Sequence, residues 1–346
     1  MGAYTVYNDQ RVDDTVNHDL KLIVERVISA LPVRSIILGG GFGRSEGSVL
    51  INEHGIHPVN DYDLFLIVPD DVETDMRPLG KKLSRELGIR LIDLIPLRHS
   101  DLNTLPASQI FYDLKYGGQV LWGENTLELI PQYKEGFVLP ESGKTLLLNR
   151  LICALEAFSE NFEKRAMTKP EIFFLVNQTG KVISACVEAL LIKKSIYHHS
   201  YITRQKIFDR QFPDKVKLQQ LNKRAMEFRL RPSETITFDP ISYWKETMRE
   251  YLDVIADYLV PFSVSPQKDL WRLLKNSSNI SSVTNNPVER IEIMLLLCHE
   301  SSFYTKRIIL SQAWKELGIV TQTPVQNKDW EILRQRTTRL WHELYH

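Results

Sequence analysis

Apolar residues recur at helical spacing over residues 12–31, at Val16, Leu20, Ile23, Val24, Val27 and Ile28, and predict an amphipathic helix closed by Pro32. The period then changes. Arg34 to Leu38 is a short apolar strand, Gly39-Gly40-Gly41 turns the chain, and Phe42 to Gly47 is the expected start of a helix. Residues 48–60 carry Asn52, Gly55, Pro58 and Asn60 and predict a loop. Asp61 to Val68 is a second strand. Beyond its acids it is apolar on both faces, with Phe65 and Ile67 on one and Leu64, Leu66 and Val68 on the other, as in an interior strand. An imperfect helix over 72–87, interrupted by Pro78 and Gly80, leads to a third strand at 89–97. A short helix, a Gly-Gly turn and a last strand at 119–122 end the alternation.

Residues 124–140, with Pro131, Gly136 and Pro140, predict a linker, and after it the pattern is almost wholly helical. Long periodic stretches cover 142–162 and 170–196, and others lie near 203–229, 240–260, 286–300, 302–316 and 327–345. The expected fold class is an α+β N-terminal domain, a mixed sheet with flanking helices, followed by an all-α C-terminal region. The expected domains are 1–138 and 139–346, with 261–267 as the place where the second would divide again. Trp314, Trp330 and Trp341 are expected to pack the helical core.

Of the 346 residues, 43% are apolar and 25% charged, the range of soluble globular chains. Lys plus Arg (43) balances Asp plus Glu (43), so no basic field favours a long nucleic acid as partner, although a local basic groove stays open. Cys153, Cys186 and Cys298 are odd in number and far apart in apolar helical runs, which argues against a disulfide framework and for a reducing compartment. No signal-peptide pattern opens the chain, and no apolar run approaches the ~20 residues of a membrane span. The expectation is a cytoplasmic protein without a membrane partner.

The candidate chemistry sits in residues 36–68. Alternation along a strand points Asp61 and Asp63 the same way and Tyr62 the other. Two carboxylates at the mouth of a buried strand repel, so one is expected to hold its proton unless a cation lies between them. Asp93, a lone acid in an apolar strand, is costly unless paired or metal-bound. A divalent metal at the acids, with a phosphate held by the glycine turn, accounts for all of this. Other motifs carry less. The glycines miss the dinucleotide pattern G-x-G-x-x-G, because Arg44 or Glu46 falls where its third glycine belongs. Ser142-Gly143-Lys144-Thr145 resembles the tail of a P-loop, but Val138 stands where the first glycine should, so Ser142 is read as a helix start. His54 and His57 are read as solvated loop residues, and His198-His199 as a helix end.

The order of strand, Gly-Gly turn with an arginine behind it, Asp-x-Asp strand and third Asp resembles the polymerase-β-like nucleotidyltransferase superfamily over roughly residues 15–122. The resemblance implies that Asp61, Asp63 and Asp93 are catalytic and hold two Mg²⁺ ions, with Mn²⁺ as the alternative. It implies that Gly40 and Gly41 bind the β- and γ-phosphates, with added charge from Arg44, whose bland alternative is a surface pair with Glu46. In several members a helix of the C-terminal region sends a lysine to the triphosphate. Lys181 resembles that residue, with Ser200 or Tyr201 following it, and the bland alternative is a solvated helix lysine. The implied reaction moves a nucleoside monophosphate from an NTP, ATP by default, to a small-molecule or protein acceptor and releases pyrophosphate. Two departures stand out: Gly41 where the family often has Ser, and a long segment before Asp61. The alternative function is a non-catalytic nucleotide-binding or interaction module on the same fold.

Overall fold

A computed structural model of the chain describes residues 1–72, 75–259, 266–275, 284–299, 301, 303–318, 326 and 329–345. Helix α1 (Gln10–Ala30) is started by Asp9, whose carboxylate accepts from the Arg11 N–H. It buries Val12, Val16, Leu20, Ile23 and Val27, the stripe its periodicity predicts. Strand β1 (Ser35–Leu38) follows, then a single helical turn, α2 (Gly40–Gly43). Residues 48–60 are not an irregular loop. Val49–Asn52 (β2) and Gly55–Pro58 (β3) pair antiparallel as a hairpin, because Asn52 and Gly55 bound its turn instead of interrupting a coil.

Strand β4 (Tyr62–Val68) lies inside a four-stranded mixed sheet of order β5-β4-β1-β6, with β5 at Ile92–Arg98 and β6 at Gln119–Gly123. It runs antiparallel to β1 and parallel to β5. One face of β4 (Tyr62, Leu64, Leu66, Val68) packs with the buried stripe of α1, and the other (Phe65, Ile67) packs with Leu102, Leu114 and Ile130. The two-sided core is the physical reason for its apolar run. Helix α3 (Arg77–Leu87) is shorter than the 72–87 expected. Pro78 lies in its first turn, where a missing N–H costs nothing, so it starts the helix instead of breaking it. A Cβ on Gly80 would come within 2.5 Å of the Ile92 carbonyl, so that glycine permits a close approach to β5. Helix α4 is Gln109–Gly117.

Later helices are α5 (Pro140–Leu148), α6 (Leu151–Glu156), α7 (Lys169–Lys193), α8 (Tyr201–Gln211), α9 (Val216–Leu230), α10 (Pro240–Leu259), α11 (Pro266–Lys275), α12 (Pro287–His299), α13 (Phe303–Glu316) and α14 (Asp329–Tyr345). The stretches 142–162 and 203–229 are thus each broken in two, and α11 was not expected. Helix α5 begins at Pro140, which places Ser142 inside it and not at its start. His198 and His199 precede α8 instead of ending α7, which closes at Lys193. Helix α7 is long and apolar enough to cross a membrane by length and composition alone, contrary to the expectation that no run comes close. Since 89% of its most apolar window is buried in protein, it is built as a core helix.

The chain forms two compact units. The first is residues 1–142, 191–213 and 226–233; the second is 143–190, 214–225 and 234–346. The first therefore draws in two later segments that a division at 138/139 assigns elsewhere. The division expected near 261–267 falls mostly on residues outside the described ones. In the second unit, Phe158 stacks on Trp244 at 4.0 Å and meets Trp330 edge-on at 6.0 Å. Trp330 and Trp314 are buried, whereas Trp341 is partly exposed. The cysteines are free, two of them buried.

Candidate active site

The glycine turn is fastened to the acid strand. The Gly39 N–H donates to the Asp63 carbonyl at 2.8 Å, and the Gly43 N–H closes the turn onto Gly39 at 2.8 Å. Gly40 adopts φ +58°, the left-handed region. A Cβ there would lie 1.8 Å from Asp63 Oδ2, so no side chain fits without moving that carboxylate. Gly41 differs: its Cβ would meet the Glu46 carbonyl at 3.2 Å, a tight contact that a small shift relieves. Gly40→Ala is expected to cost at least about 1–2 kcal/mol of stability from the left-handed backbone alone, read as a lower thermal midpoint, while Gly41→Ala stays close to wild type. Equal melts for the two would remove the argument. The opening N–H groups of a helical turn have no intrahelical acceptor and point outward, the geometry a phosphate uses.

The three acids come to one end of the sheet. Asp63 and Asp93 are register partners across the parallel β4–β5 pair. Alternation puts both on the face carrying Phe65 and Ile67. Asp63 is partly buried and Asp93 is exposed. Burial, then the charges of Asp61 and Asp93, push the Asp63 carboxyl up to about 6, with Arg44 and Arg229 opposing. This is the crowding expected of acids at the mouth of a buried strand. Tyr62, on the other face, donates to Asp19 at 3.0 Å.

Arg44 is not on the surface. Its side chain is 4% exposed, and Nη1 meets Asp113 Oδ2 at 2.9 Å while Nε lies 3.7 Å from Glu46. Burial works against its charge, but Asp113 and Tyr201 outweigh it, so its pKa lies above the ordinary value. Asp113 also accepts from the Tyr197 hydroxyl and lies 3.7 Å from Arg204. Glu46, equally buried, holds the start of α8: Ser200 Oγ donates to it at 2.7 Å, the Tyr201 N–H at 2.8 Å and the Ile202 N–H at 3.1 Å. A carboxylate at a helix N-terminus answers the unpaired amides and the dipole there. The Ser200 hydroxyl and the Tyr201 amide, two residues that the resemblance placed near the nucleotide, thus donate to Glu46.

The Tyr201 ring is surrounded by Arg44 at 4.5 Å and by Arg204 and Arg229 at 4.3 Å each, and its hydroxyl accepts from Arg229 Nη2. Arg229 is therefore a cation that bears on Asp63 and that sequence reasoning missed. It closes a helix 166 residues from Asp63, and no local motif marks it. Beside this cluster, His198 and His199 stack at 4.3 Å. Burial, reinforced by His198, Arg44 and Arg204, lowers His199 to about 4, so its ring is uncharged at neutral pH. Lys181 lies in the part of α7 that belongs to the second unit. His54 and His57 are exposed on the hairpin, as expected of solvated residues.

Among the described residues, no three His, Cys, Asp or Glu side chains stand close enough to hold a metal by themselves. The donors offered at Asp61, Asp63 and Asp93 are all carboxylate oxygens, the chemistry of Mg²⁺ or Mn²⁺. Mg²⁺ commonly takes one or two carboxylates and completes its shell with water and substrate phosphate. A donor set of this kind would suit an ion completed by water and phosphate oxygens, not a closed protein cage. Compared with models of protein families, with curated proteins and with solved structures, the chain matches none.

Proposed function

We propose that this chain is a divalent-metal-dependent nucleotidyltransferase. It moves a nucleoside monophosphate from an NTP, ATP by default, to a hydroxyl of a small-molecule or protein acceptor and releases pyrophosphate. The observation that carries the reading is the carboxylate of Asp63, packed against the side-chain-free Gly40 and register-paired with Asp93, so that the glycine turn and these two acids share one place.

Asp61, Asp63 and Asp93 would hold the metal, whose chemistry is to lower the pKa of the attacking hydroxyl and to neutralise charge on the leaving pyrophosphate. The chain's own groups do the rest. The Gly40 and Gly41 amides orient the terminal phosphates. Arg229 offsets negative charge beside Asp63. Asp93, exposed on its strand, accepts the proton as the acceptor oxygen bonds to the α-phosphorus and the bond to pyrophosphate breaks. Lys181 as a triphosphate ligand belongs to the same proposal.

The test is pyrophosphate release from NTP and Mg²⁺ over a panel of hydroxyl acceptors. Asp61→Asn combined with Asp63→Asn is expected to cut turnover at least about a hundredfold. Equal turnover would remove the acids from the mechanism. That no three-ligand metal group stands ready among the described residues favours a second reading, a nucleotide-binding module without catalysis. NTP binding without pyrophosphate release by wild type across the panel would decide for it.

A further inference from the structure

Helix α12, in the second unit, buries every residue from Ile291 to Cys298, and Glu292 is among them at 1% exposure. Neither oxygen of Glu292 has a hydrogen-bond partner among the described residues. Seven residues on, and so on the same face of the helix, His299 buries Nε2 in the same unpartnered state. Both groups meet α10. Glu292 bears on the hydroxyl of Tyr251, which already donates to the Leu147 carbonyl. His299 is enclosed edge-on by Trp244 at 4.8 Å, Trp330 at 4.6 Å and Phe158 at 5.3 Å.

A charge in either place would be buried and unpaired, which is costly. Burial, reinforced by Glu289, holds the proton on Glu292 well above the ordinary carboxylate range. Burial, reinforced by Lys306 and Lys245, lowers His299 to about 3. The charges on the packed helices are engaged with one another. Glu289 accepts from Thr284, and Arg290 meets Glu316 of α13 at 2.8 Å. Lys306 of α13 meets Glu160 at 3.1 Å, and Lys245 of α10 meets Glu163. Glu156 of α6 lies 3.5 Å from His342 of α14, where Glu331 also holds Arg334 at 2.5 Å. Asp269 and Arg272 pair within α11 at 2.6 Å. The Cys153 and Cys186 thiols and the Arg150 guanidinium bear on Tyr251 from the far side of α10's partners α6 and α7.

We propose that the seam between α10 and α12 is a proton-operated joint of the helical unit, closed on a protonated Glu292 and an unprotonated His299 and loosened when either side chain takes charge. On opening, both groups meet water and return to their ordinary values, 4.5 for the acid and 6.5 for the base. Between those values opening releases one proton from Glu292 and takes one up at His299, so the balance is independent of pH. Above 6.5 only the release remains, and opening grows about tenfold per pH unit until the closed form ionises too. Below 4.5 only the uptake remains, and opening grows about tenfold per unit of falling pH, down to about 3.

Cys298 is the reporter, a buried free thiol on α12 that burial keeps protonated while the joint is closed. Its rate of reaction with dithiodipyridine is read by mass spectrometry on the full chain from about pH 4 to about pH 8.5. Division by the rate of the urea-unfolded chain removes the chemistry of the thiol itself. The wild-type quotient is expected to be level between the two ordinary values and to rise on each side. Glu292→Gln should lose the alkaline rise and begin the acid rise at 6.5. His299→Gln should lose the acid rise and begin the alkaline rise at 4.5. Glu292→Met replaces Glu292→Gln should the amide not fold, and should neither fold, the wild-type profile decides alone. A quotient level over the whole range, or an alkaline rise that survives at Glu292→Gln or Glu292→Met, overturns the proposal.

Discussion

Asp63→Asn is expected to make the metal-free protein more stable at pH 8 than wild type, and to make no difference at pH 4. The Asp63 carboxyl titrates at about 6 in the fold against an ordinary 3.8, because burial and the neighbouring Asp61 and Asp93 disfavour its charge. A folded-state pKa above the unfolded value means that the fold binds the proton more tightly. Its contribution is complete below about pH 4 and is lost as pH rises through about 6. Two pH units at ~1.4 kcal/mol each set an upper scale of about 3 kcal/mol for the gain on replacing the charge. Chemical denaturation of both proteins from pH 4 to 8 in EDTA measures it. A constant offset between the two would show that Asp63 does not carry the strain. Millimolar Mg²⁺ should then raise wild type and leave Asp63→Asn where it was, because the cation supplies what the amide replaces. The same carboxylate is thus a liability to the fold and the centre of the proposed chemistry.

The second large effect is expected at Arg44. Arg44→Met leaves Asp113 and Glu46 buried without their nearest guanidinium, and breaking one side of a buried ion pair costs about 3–5 kcal/mol. It also removes packing, since the Arg44 stem fills the space beside Gly117, where a Cβ would come within 2.4 Å of Cγ. Adding Asp113→Leu should recover part of the loss, and the double-mutant cycle reads the coupling directly. The cost should appear in the melt and not in the affinity for NTP. A stable Arg44→Met protein with weakened NTP binding would instead restore the phosphate role that the sequence suggested.

Much of the architecture is legible in the sequence because burial writes it there. The period of α1 and the two-sided apolar run of β4 give their elements and faces, and the places of Asp63 and Asp93 follow from alternation. The hairpin at 49–58 was not legible, because its strands are four residues each and Asn52, Gly55 and Pro58 look alike in a loop and in a tight turn. Helix α11 begins at Pro266, which a linear pattern reads as a break instead of the first helical residue. The burial of Arg44 was not legible, because its nearer partner, Asp113, is 69 residues away. The segments 191–213 and 226–233 join the first unit through contacts that no linear boundary can express.

Glu46 gives the molecule an internal reporter. Its carboxylate follows the glycine turn in the chain by three residues and grips amides more than 150 residues further on. Any displacement of that turn, by a nucleotide or by a substitution, must either drag the beginning of α8 with it or let go of it. The solvent-exchange rates of the Tyr201 and Ile202 amide protons therefore register events at a loop neither residue belongs to, and they do so without any assay for catalysis.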